Sequence, residues 1–229
     1  MYSIWTPESR EVVFTSSRGG SFNLYRRAAD GTGTVKQLIE STEDLFPSSI
    51  SPDGKLLVFR VGGTSGFDLG VLSLEGEEAP EPLLDSEFGE RNGEVSPDGQ
   101  WLAYQSDESG EDRIYVRPFP EVDGGRFLIS AGGGITPLWS PEGKELFYRT
   151  RDGMMVVPVE TDSRFLAGTP EVLFTGNYAV RNGRMYDIAP DGQRFLMIKP
   201  AQTTEQGLGN QVILVQNWFE ELKRLVPTE

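Results

Sequence analysis

Cysteine and histidine are both absent from this chain of 229 residues, and the two absences exclude much of the usual enzyme chemistry. Without cysteine the chain forms no disulfide bond, and thiol usage does not indicate a redox compartment. Without either residue it cannot build a Ser-His-Asp or Cys-His nucleophile system, or a zinc site of the Cys/His type. Any catalysis would therefore depend on carboxylates, amides, lysine, tyrosine or a bound hard metal ion.

Positive charge is also scarce, since 21 Lys and Arg stand against 35 Asp and Glu and give a formal net charge of −14. Nucleic-acid backbones and anionic lipid surfaces both attract clustered basic side chains, so we expect neither nucleic acid nor membrane as a partner. No apolar run approaches the length needed to cross a bilayer, and the first residues lack the basic and apolar regions of a signal peptide. The sequence leaves the compartment open.

What the chain does contain is a recurring turn phrase, Ser-Pro-Asp-Gly or a close variant. The copies are Ser51-Pro52-Asp53-Gly54, Ser96-Pro97-Asp98-Gly99, Ser140-Pro141-Glu142-Gly143 and Ala189-Pro190-Asp191-Gly192, after a degenerate Thr6-Pro7-Glu8-Ser9. Their prolines are 45, 45, 44 and 49 residues apart. Proline presets φ for the second turn position, and glycine accepts the positive φ of the last. A period of this length predicts a stacked repeat architecture.

The residues around each turn predict four short strands per repeat. A continuous apolar run such as Leu57–Phe59 follows the turn, which indicates a strand buried on both faces. A further strand such as Phe67–Leu72 and a more polar stretch such as Pro82–Leu84 come next. Four short strands in about 45 residues are typical of a propeller blade, so we predict an all-β propeller with five repeats.

We expect a single propeller domain over residues 1–229, with repeat units at 1–45, 46–90, 91–134, 135–181 and 182–216. Apolar residues at 218, 219, 222 and 225 then have helical spacing, with Asn217 as a plausible N-cap, so a short helix is expected over 217–226. This helix would either cap an apolar edge or dock a partner. A closed five-bladed ring is the first interpretation. Completion of a larger ring between molecules, which would make the protein a homo-oligomer, is the alternative.

These repeats resemble a known family. The turn phrases with a preceding Trp or Ile are similar to TolB-like, WD-type propeller repeats. Asn92–Gly99, Ile114–Pro120 and the ending Gln216–Lys223 resemble the propeller region fused behind bacterial serine/threonine kinases. The resemblance implies a bacterial sensor or protein-binding module, in the cytoplasm or outside it, and no defined reaction. Further blades usually precede this region in such relatives, which is the basis of the larger-ring alternative.

The inner strands of a propeller converge on an axial channel, where a site is expected. The residues two positions before the turn phrases are Ile4, Ser49, Glu94, Leu138 and Asp187, and those four before are Tyr2, Pro47, Asn92, Thr136 and Met185. The candidate ligand-binding residues of the channel and its entrance are Glu43, Asp44, Glu90, Arg91, Asn92, Glu94, Arg181, Asn182, Arg184 and Asp187.

Two functions are compatible with these residues. The first is a binding or sensor module that takes a protein or a small ligand at the funnel face. The alternative is a hydrolase of esters, phosphoesters or phosphotriesters that depends on calcium in the central channel. Carboxylate and amide oxygens suit Ca²⁺, and the candidate metal ligands are Asp44, Glu90, Asn92, Glu94 and Asp187. The same charges are also compatible with a solvated rim in which the arginines neutralise the acids, and this is the favoured interpretation.

Other conspicuous residues have structural interpretations. We expect the turn residues Asp53, Asp98 and Asp191 to brace the turn backbone through hydrogen bonds and not to bind metal. Trp5 and Trp139 precede turn phrases at matching positions and are predicted to wedge between blades. The aromatic side chains of Phe59, Tyr104 and Tyr148 have matching positions after the turns and are predicted core residues.

Overall fold

The computed structural model describes residues 2–62, 66–76, 78–162, 164–180 and 183–200, together with the backbone of 212–215. These residues form 20 strands in five antiparallel sheets. The first sheet contains β1 (Ser3–Trp5), β2 (Glu11–Gly19), β3 (Ser21–Ala28) and β4 (Lys36–Gln37). The second contains β5 (Asp44–Ile50), β6 (Leu56–Gly62), β7 (Phe67–Ser73) and β8 (Glu81–Leu84).

The remaining three sheets repeat this pattern with small variations. The third contains β9 (Glu90–Val95), β10 (Trp101–Ser106), β11 (Arg113–Pro118) and β12 (Phe127–Leu128). The fourth contains β13 (Ile135–Trp139), β14 (Glu145–Arg149), β15 (Gly153–Glu160), β16 (Leu166–Ala167) and β17 (Glu171–Thr175), of which the last two both pair with β15. The fifth contains β18 (Tyr186–Ile188), β19 (Phe195–Ile198) and β20 (Val212–Val215).

Within each sheet the strands follow one another in chain order, which is the arrangement of a propeller blade. The first strand of each sheet, β1, β5, β9, β13 or β18, is its inner strand. A 3₁₀ turn at Val122–Gly124 is the helical element of the described residues. No helix in this part of the chain is long and apolar enough to cross a membrane. The predicted C-terminal helix over 217–226 lies outside the described residues.

The turn phrases have the predicted conformation. Gly54, Gly99, Gly143 and Gly192 have φ values of 76°, 74°, 71° and 68°, and Ser9 of the degenerate copy has 55°. In the copy at residues 51–54, the Ser51 hydroxyl donates to Asp53 Oδ1 at 2.5 Å and the Lys55 amide donates to the same oxygen at 3.1 Å. The serine hydroxyl lowers the pKa of the Asp53 carboxyl. The turn aspartate therefore braces its own turn, as predicted.

In the part of the chain that the structure describes, four hydrophobic cores lie between successive sheets, and the second strand of a sheet contributes to the core on each of its faces. Leu57 and Phe59 face the first sheet, whereas Val58 between them packs against the third. Tyr104 and Tyr148 are 2% and 3% exposed in the cores that follow. This packing explains why the apolar runs are continuous and not alternating.

The prediction for Trp5 is wrong. Trp139 is 4% exposed and packs between the third and fourth sheets, with Nε1 donating to the Glu94 carbonyl oxygen at 3.0 Å. Trp5 is 60% exposed, because among the described residues no hydrophobic cluster joins the fifth sheet to the first. The turn phrase places both indoles alike, but among the described residues a hydrophobic core covers only Trp139. A closed five-bladed ring therefore stays a prediction.

Candidate functional site

The five inner-strand segments surround a cavity of about 110 Å³ at the propeller axis. Each segment contributes lining residues: Tyr2 to Ile4 from the first, Phe46 to Ser48 from the second, Asn92 to Glu94 from the third, Thr136 and Pro137 from the fourth, and Gly183 and Arg184 from the fifth. Arg60 on β6 also lines the cavity. A cavity of this size holds a few water molecules or one small polar group.

Gly183 brings the entry to the fifth inner strand against the first. A Cβ atom built on it would lie 2.5 Å from Tyr2 Cε1, and its φ of 115° is one that other residues rarely adopt. Glycine is thus required at this close approach. The contact places the first and fifth of the cavity-lining segments next to each other.

Strained bulges shape the lining of the cavity. Asn92 and Thr136 have φ values of 55° and 51°, and the strand register shifts beside each of them. A positive φ is unusual for a β-branched threonine. Gln105 holds both bulges, because its Oε1 accepts the Asn92 side-chain amide at 2.8 Å and the Thr136 backbone amide at 3.2 Å. Strain of this kind concentrates at functional sites, and here it turns the backbone of two inner strands at the cavity.

A second hydrogen bond fixes the Thr136 bulge from the fifth sheet. The buried Tyr186 hydroxyl donates to the Thr136 carbonyl oxygen at 2.6 Å. Burial raises the pKa of this phenol well above its usual range, so it stays protonated and remains a donor. Hydrogen bonds from the third and fifth sheets therefore fix the strained Thr136 bulge of the fourth sheet.

An ion pair crosses the cavity. Arg184 Nη1 lies 3.0 Å from Glu94 Oε2, and both side chains are largely buried. Glu94 raises the pKa of Arg184, whereas burial raises the pKa of Glu94 against the opposing effect of the arginine. The pair neutralises the carboxylate that the sequence places in the channel.

Arg60 is the remaining charged residue of the described lining. It is 5% exposed, and its Nε is buried without a hydrogen-bond partner. Its Cζ lies 4.4 Å from the ring centroid of Phe46, 4.6 Å from that of Phe67 and 5.6 Å from that of Tyr2. Burial lowers the pKa of Arg60, but a guanidinium keeps its charge in proteins. Aromatic rings thus surround Arg60 in the cavity wall, and no carboxylate of the described residues pairs with it.

The structure brings three of the predicted site residues to the cavity, namely Asn92, Glu94 and Arg184. Five others lie elsewhere on the described surface or interior: Glu43, Asp44, Glu90, Arg91 and Asp187. Arg181 and Asn182 lie outside the described residues. Counting four positions back from the turn phrases was the more accurate rule, since Tyr2, Pro47, Asn92 and Thr136 all line the cavity.

Four of the five predicted residues outside the lining have local partners, and the fifth, Glu43, is exposed. Asp44 Oδ1 accepts the Phe22 amide at 2.9 Å on the rim, and Asp187 Oδ1 accepts the Ile188 amide at 3.0 Å. Arg91 Nη2 lies 2.6 Å from Asp112 Oδ1. Glu43 is exposed on the rim. These charged side chains therefore do not line the axial cavity.

Glu90 is the most deeply buried of these carboxylates, at 5% exposure. The Ser86 hydroxyl donates to its Oε1 at 2.5 Å, while Oε2 has no partner. Burial raises the pKa of Glu90, and the charges of Asp68, Glu108 and Asp107 act in the same direction. This carboxyl is an isolated buried acid between the second and third sheets and not part of the cavity.

The candidate metal ligands are dispersed in the same way. Among the described residues, no group of three or more carboxylates is placed to hold a metal ion. Of the predicted ligands, only Asn92 and Glu94 lie at the cavity, and Glu94 is paired with Arg184. Calcium binding at the axis stays a prediction.

Sequence reasoning missed Arg60 and Gln105, although a signal was available. The sixth residue after the last position of each turn phrase is Thr15, Arg60, Gln105, Arg149 or Ile198. Four of these five interrupt an apolar run with a polar side chain, and all four are at most 5% exposed. Thr15 and Gln105 hydrogen-bond the inner strand of the next sheet, which shows that this position faces the next blade near the axis. A recurring buried polar position therefore lies next to the following inner strand, and of its members Arg60 lines the cavity.

Comparisons with known proteins agree with this architecture. No family model matches the chain. TolB from Acinetobacter baumannii superposes with a TM-score of 0.70 at 18% identity, covering 93% of this chain and 50% of that one. A structure assigned as TolB from Agrobacterium tumefaciens gives a TM-score of 0.64 at 21% identity, covering 82% of this chain and 69% of that one.

An uncharacterized protein of Agrobacterium fabrum is 26% identical over 155 residues, which is 63% of this chain and 52% of that protein. The chain thus spans about half the length of this curated relative and of the Acinetobacter structure. Identities at this level establish the fold and leave the activity open. By fold, the chain is a TolB-like β-propeller.

Proposed function

We propose that this propeller is a non-catalytic binding module that takes its ligand, a small molecule or a segment of a protein, at the axial cavity. The observation that carries the proposal is that all five inner-strand segments line one cavity. A site assembled from every blade depends on the whole fold and not on one loop. The bulges at Asn92 and Thr136 support the proposal. Strained backbone persists only where surrounding contacts hold it, and it clusters at functional sites.

The chemistry of the lining also favours binding over catalysis. The described lining residues include one carboxylate, Glu94, and it is held by Arg184. A general base must be free to accept a proton, and a paired carboxylate is a poor one. The serines and threonine of the lining, together with Asn92, offer hydrogen-bonding groups that suit recognition.

The proposal is tested by thermal unfolding against a panel of ligand classes that includes organic acids, phosphates, sugars, amino acids and short peptides. At least one class should raise the midpoint saturably, since a ligand bound only by the native state stabilises it. Ser3→Trp, which introduces a bulky side chain at a cavity-lining position, should abolish the shift. Glu121→Trp, an exposed position beside the 3₁₀ turn, is the matched control and should preserve it. No shift with any class, or an equal shift in Ser3→Trp, would contradict the proposal.

A calcium-dependent hydrolase makes a different prediction. Chromogenic esters and phosphotriesters should then be turned over in the presence of calcium and not with chelator. Turnover that chelator removes, and that Asn92→Ala also removes, would replace the binding module with the hydrolase. We expect no such turnover, because the pairing of Glu94 with Arg184 leaves the described lining without a free carboxylate.

A further inference from the structure

The Arg60 guanidinium is a charged group of the cavity lining whose hydrogen-bonding capacity the described residues satisfy only in part. It lines the cavity, yet only 5% of the residue is exposed and its Nε has no partner. A buried charge is costly unless hydrogen bonds or an opposite charge compensate it. A ligand that supplies this compensation therefore gains more here than at an exposed arginine.

The protein surrounds Arg60 with aromatic rings. Phe46, Phe67 and Tyr2 all lie within cation–π distance of its Cζ. Such contacts use the face of the guanidinium, whereas its N–H donors point outward in its plane. Of the described ionisable groups that influence Arg60, Tyr2 favours its charge and Arg91 opposes it, and none is a carboxylate. The rings thus support the cation without supplying the anion.

The charges of the described lining leave one positive charge in excess. Arg184 and Glu94 neutralise each other through their ion pair. Arg91, which lies near the same Phe67 ring, is paired with Asp112. Arg60 is left as the cation of the described lining that has no carboxylate partner, with Tyr2 as its hydrogen-bonding neighbour. A singly charged anion matches it better than a doubly charged phosphate does.

The shape of the site points to the same class of ligand. The cavity of about 110 Å³ accommodates one small polar group. The planar fork of an arginine matches the two oxygens of a carboxylate, which accept parallel hydrogen bonds from it. Ser48 also lines the cavity and is a further hydrogen-bonding residue of its wall.

We propose that the axial cavity binds a carboxylate group and that Arg60 is the residue that recognises it. The carboxylate belongs either to a free small organic acid or to the acidic side chain or C-terminus of an inserted protein segment. This inference rests on the proposed binding function and adds the chemistry of the ligand.

The test is a titration of the whole chain with ¹³C-labelled acetate, followed by NMR and by thermal unfolding, with chloride and phosphate at matched ionic strength. Acetate should bind saturably and more tightly than either control anion. Arg60→Gln should weaken acetate binding about tenfold or more, and Arg60→Lys by less, since lysine keeps the charge but loses the fork. Arg113→Gln, which changes an arginine in an exposed pair with Glu111, should leave acetate binding unchanged.

A second pair of probes distinguishes the two sources of the carboxylate. Tetraglycine with a free C-terminus is compared with the same peptide carrying an amidated one. Binding of the free form about tenfold tighter than acetate, lost on amidation, would assign the site to a protein-borne carboxylate. If the free peptide binds as tightly as acetate or more weakly, the site would be assigned to a small organic acid.

A second variant covers the case in which Arg60→Gln does not fold. Ser3→Trp adds a bulky side chain at a cavity-lining position and leaves Arg60 unchanged. Undiminished acetate binding in Ser3→Trp or in a folded Arg60→Gln would overturn the inference, as would phosphate binding as tightly as acetate. A different outcome is that acetate does not bind, whereas an uncharged ligand binds to the natural chain and not to Ser3→Trp. This outcome would overturn the carboxylate specificity and retain the binding module. Absence of every ligand would overturn both.

Discussion

Arg184 is joined to Glu94 across the propeller axis, with Nη1 3.0 Å from Oε2. The two residues are far apart in sequence, since Arg184 immediately precedes the fifth sheet and Glu94 lies on β9 of the third. Their pairing removes the carboxylate that the sequence alone would offer to a metal ion. It also leaves Arg60 as the unpaired charge of the described cavity wall.

Replacing either member of this pair should destabilise the protein, because the partner is left largely buried without its counter-charge. We expect Glu94→Gln and Arg184→Gln each to lower the unfolding free energy by about 1–3 kcal/mol. The double variant should lose less than the sum of the two, with a coupling energy of about 1 kcal/mol. Denaturant unfolding of the four proteins measures this cycle, and strict additivity would show that the pair contributes nothing.

Glu90 should make stability depend on pH. Because its pKa is raised in the folded state, the native protein keeps this proton above the ordinary value of 4.5, at which the unfolded chain releases it. The unfolding free energy should therefore fall as pH rises from that value through the raised folded pKa. Glu90→Gln should remove this fall and stabilise the protein by about 1 kcal/mol at neutral pH.

The measurement for Glu90 is denaturant unfolding across a pH series, taken as the difference between the natural chain and each variant. Glu111→Gln, an exposed carboxylate change, is the matched control and should leave the pH profile unaltered. A profile for Glu90→Gln that parallels that of the natural chain would contradict the expectation.

The two equivalent tryptophans should differ in their contribution to stability. Trp139→Ala removes a buried indole and its hydrogen bond to the Glu94 carbonyl oxygen, so a loss of about 3–5 kcal/mol is expected. Trp5→Ala removes a side chain that is 60% exposed and should cost less than about 1 kcal/mol. Similar losses at both positions, measured by denaturant unfolding, would indicate that a further apolar surface covers Trp5.

Gly70 should not tolerate a side chain. A Cβ atom there would lie 2.4 Å from Phe59 Cζ, and Phe59 is fixed in the core between the first two sheets. Gly70→Ala should therefore cost about 1–3 kcal/mol through overpacking. Gly132→Ala is the matched control, since nothing lies within 4 Å of its Cβ position, and it should change stability by less than about 0.5 kcal/mol. Equal melting temperatures for the two variants would contradict this.

Local sequence predicted the repeats well because a turn is determined by neighbouring residues. Pro52 and Gly54 each fix one backbone position, and Asp53 hydrogen-bonds within its own turn. The prediction for Trp5 failed for a complementary reason. Its own turn resembles that of Trp139, but burial of an indole depends on a neighbouring sheet that local sequence does not describe.

The candidate site was predicted less completely. Asn92, Glu94 and Arg184 were found because inner strands converge on the axis in any propeller. Arg60 was missed because it belongs to a second strand, which was expected to contribute only core residues. Its access to the cavity depends on how the second sheet packs against the inner strands. The recurring polar position six residues after each turn phrase indicates burial next to the following sheet, but not which of its members reaches the cavity.

The sequence by itself determined the all-β class, the repeat length and the turns, since these follow from dihedral preferences and strand periodicity over a few residues. The tertiary structure alone decided which charges meet at the axis. The ion pair between Glu94 and Arg184 and the aromatic enclosure of Arg60 join residues from different strands and sheets. Such contacts depend on how the sheets stack and on where the inner strands bulge, which are properties of the whole fold.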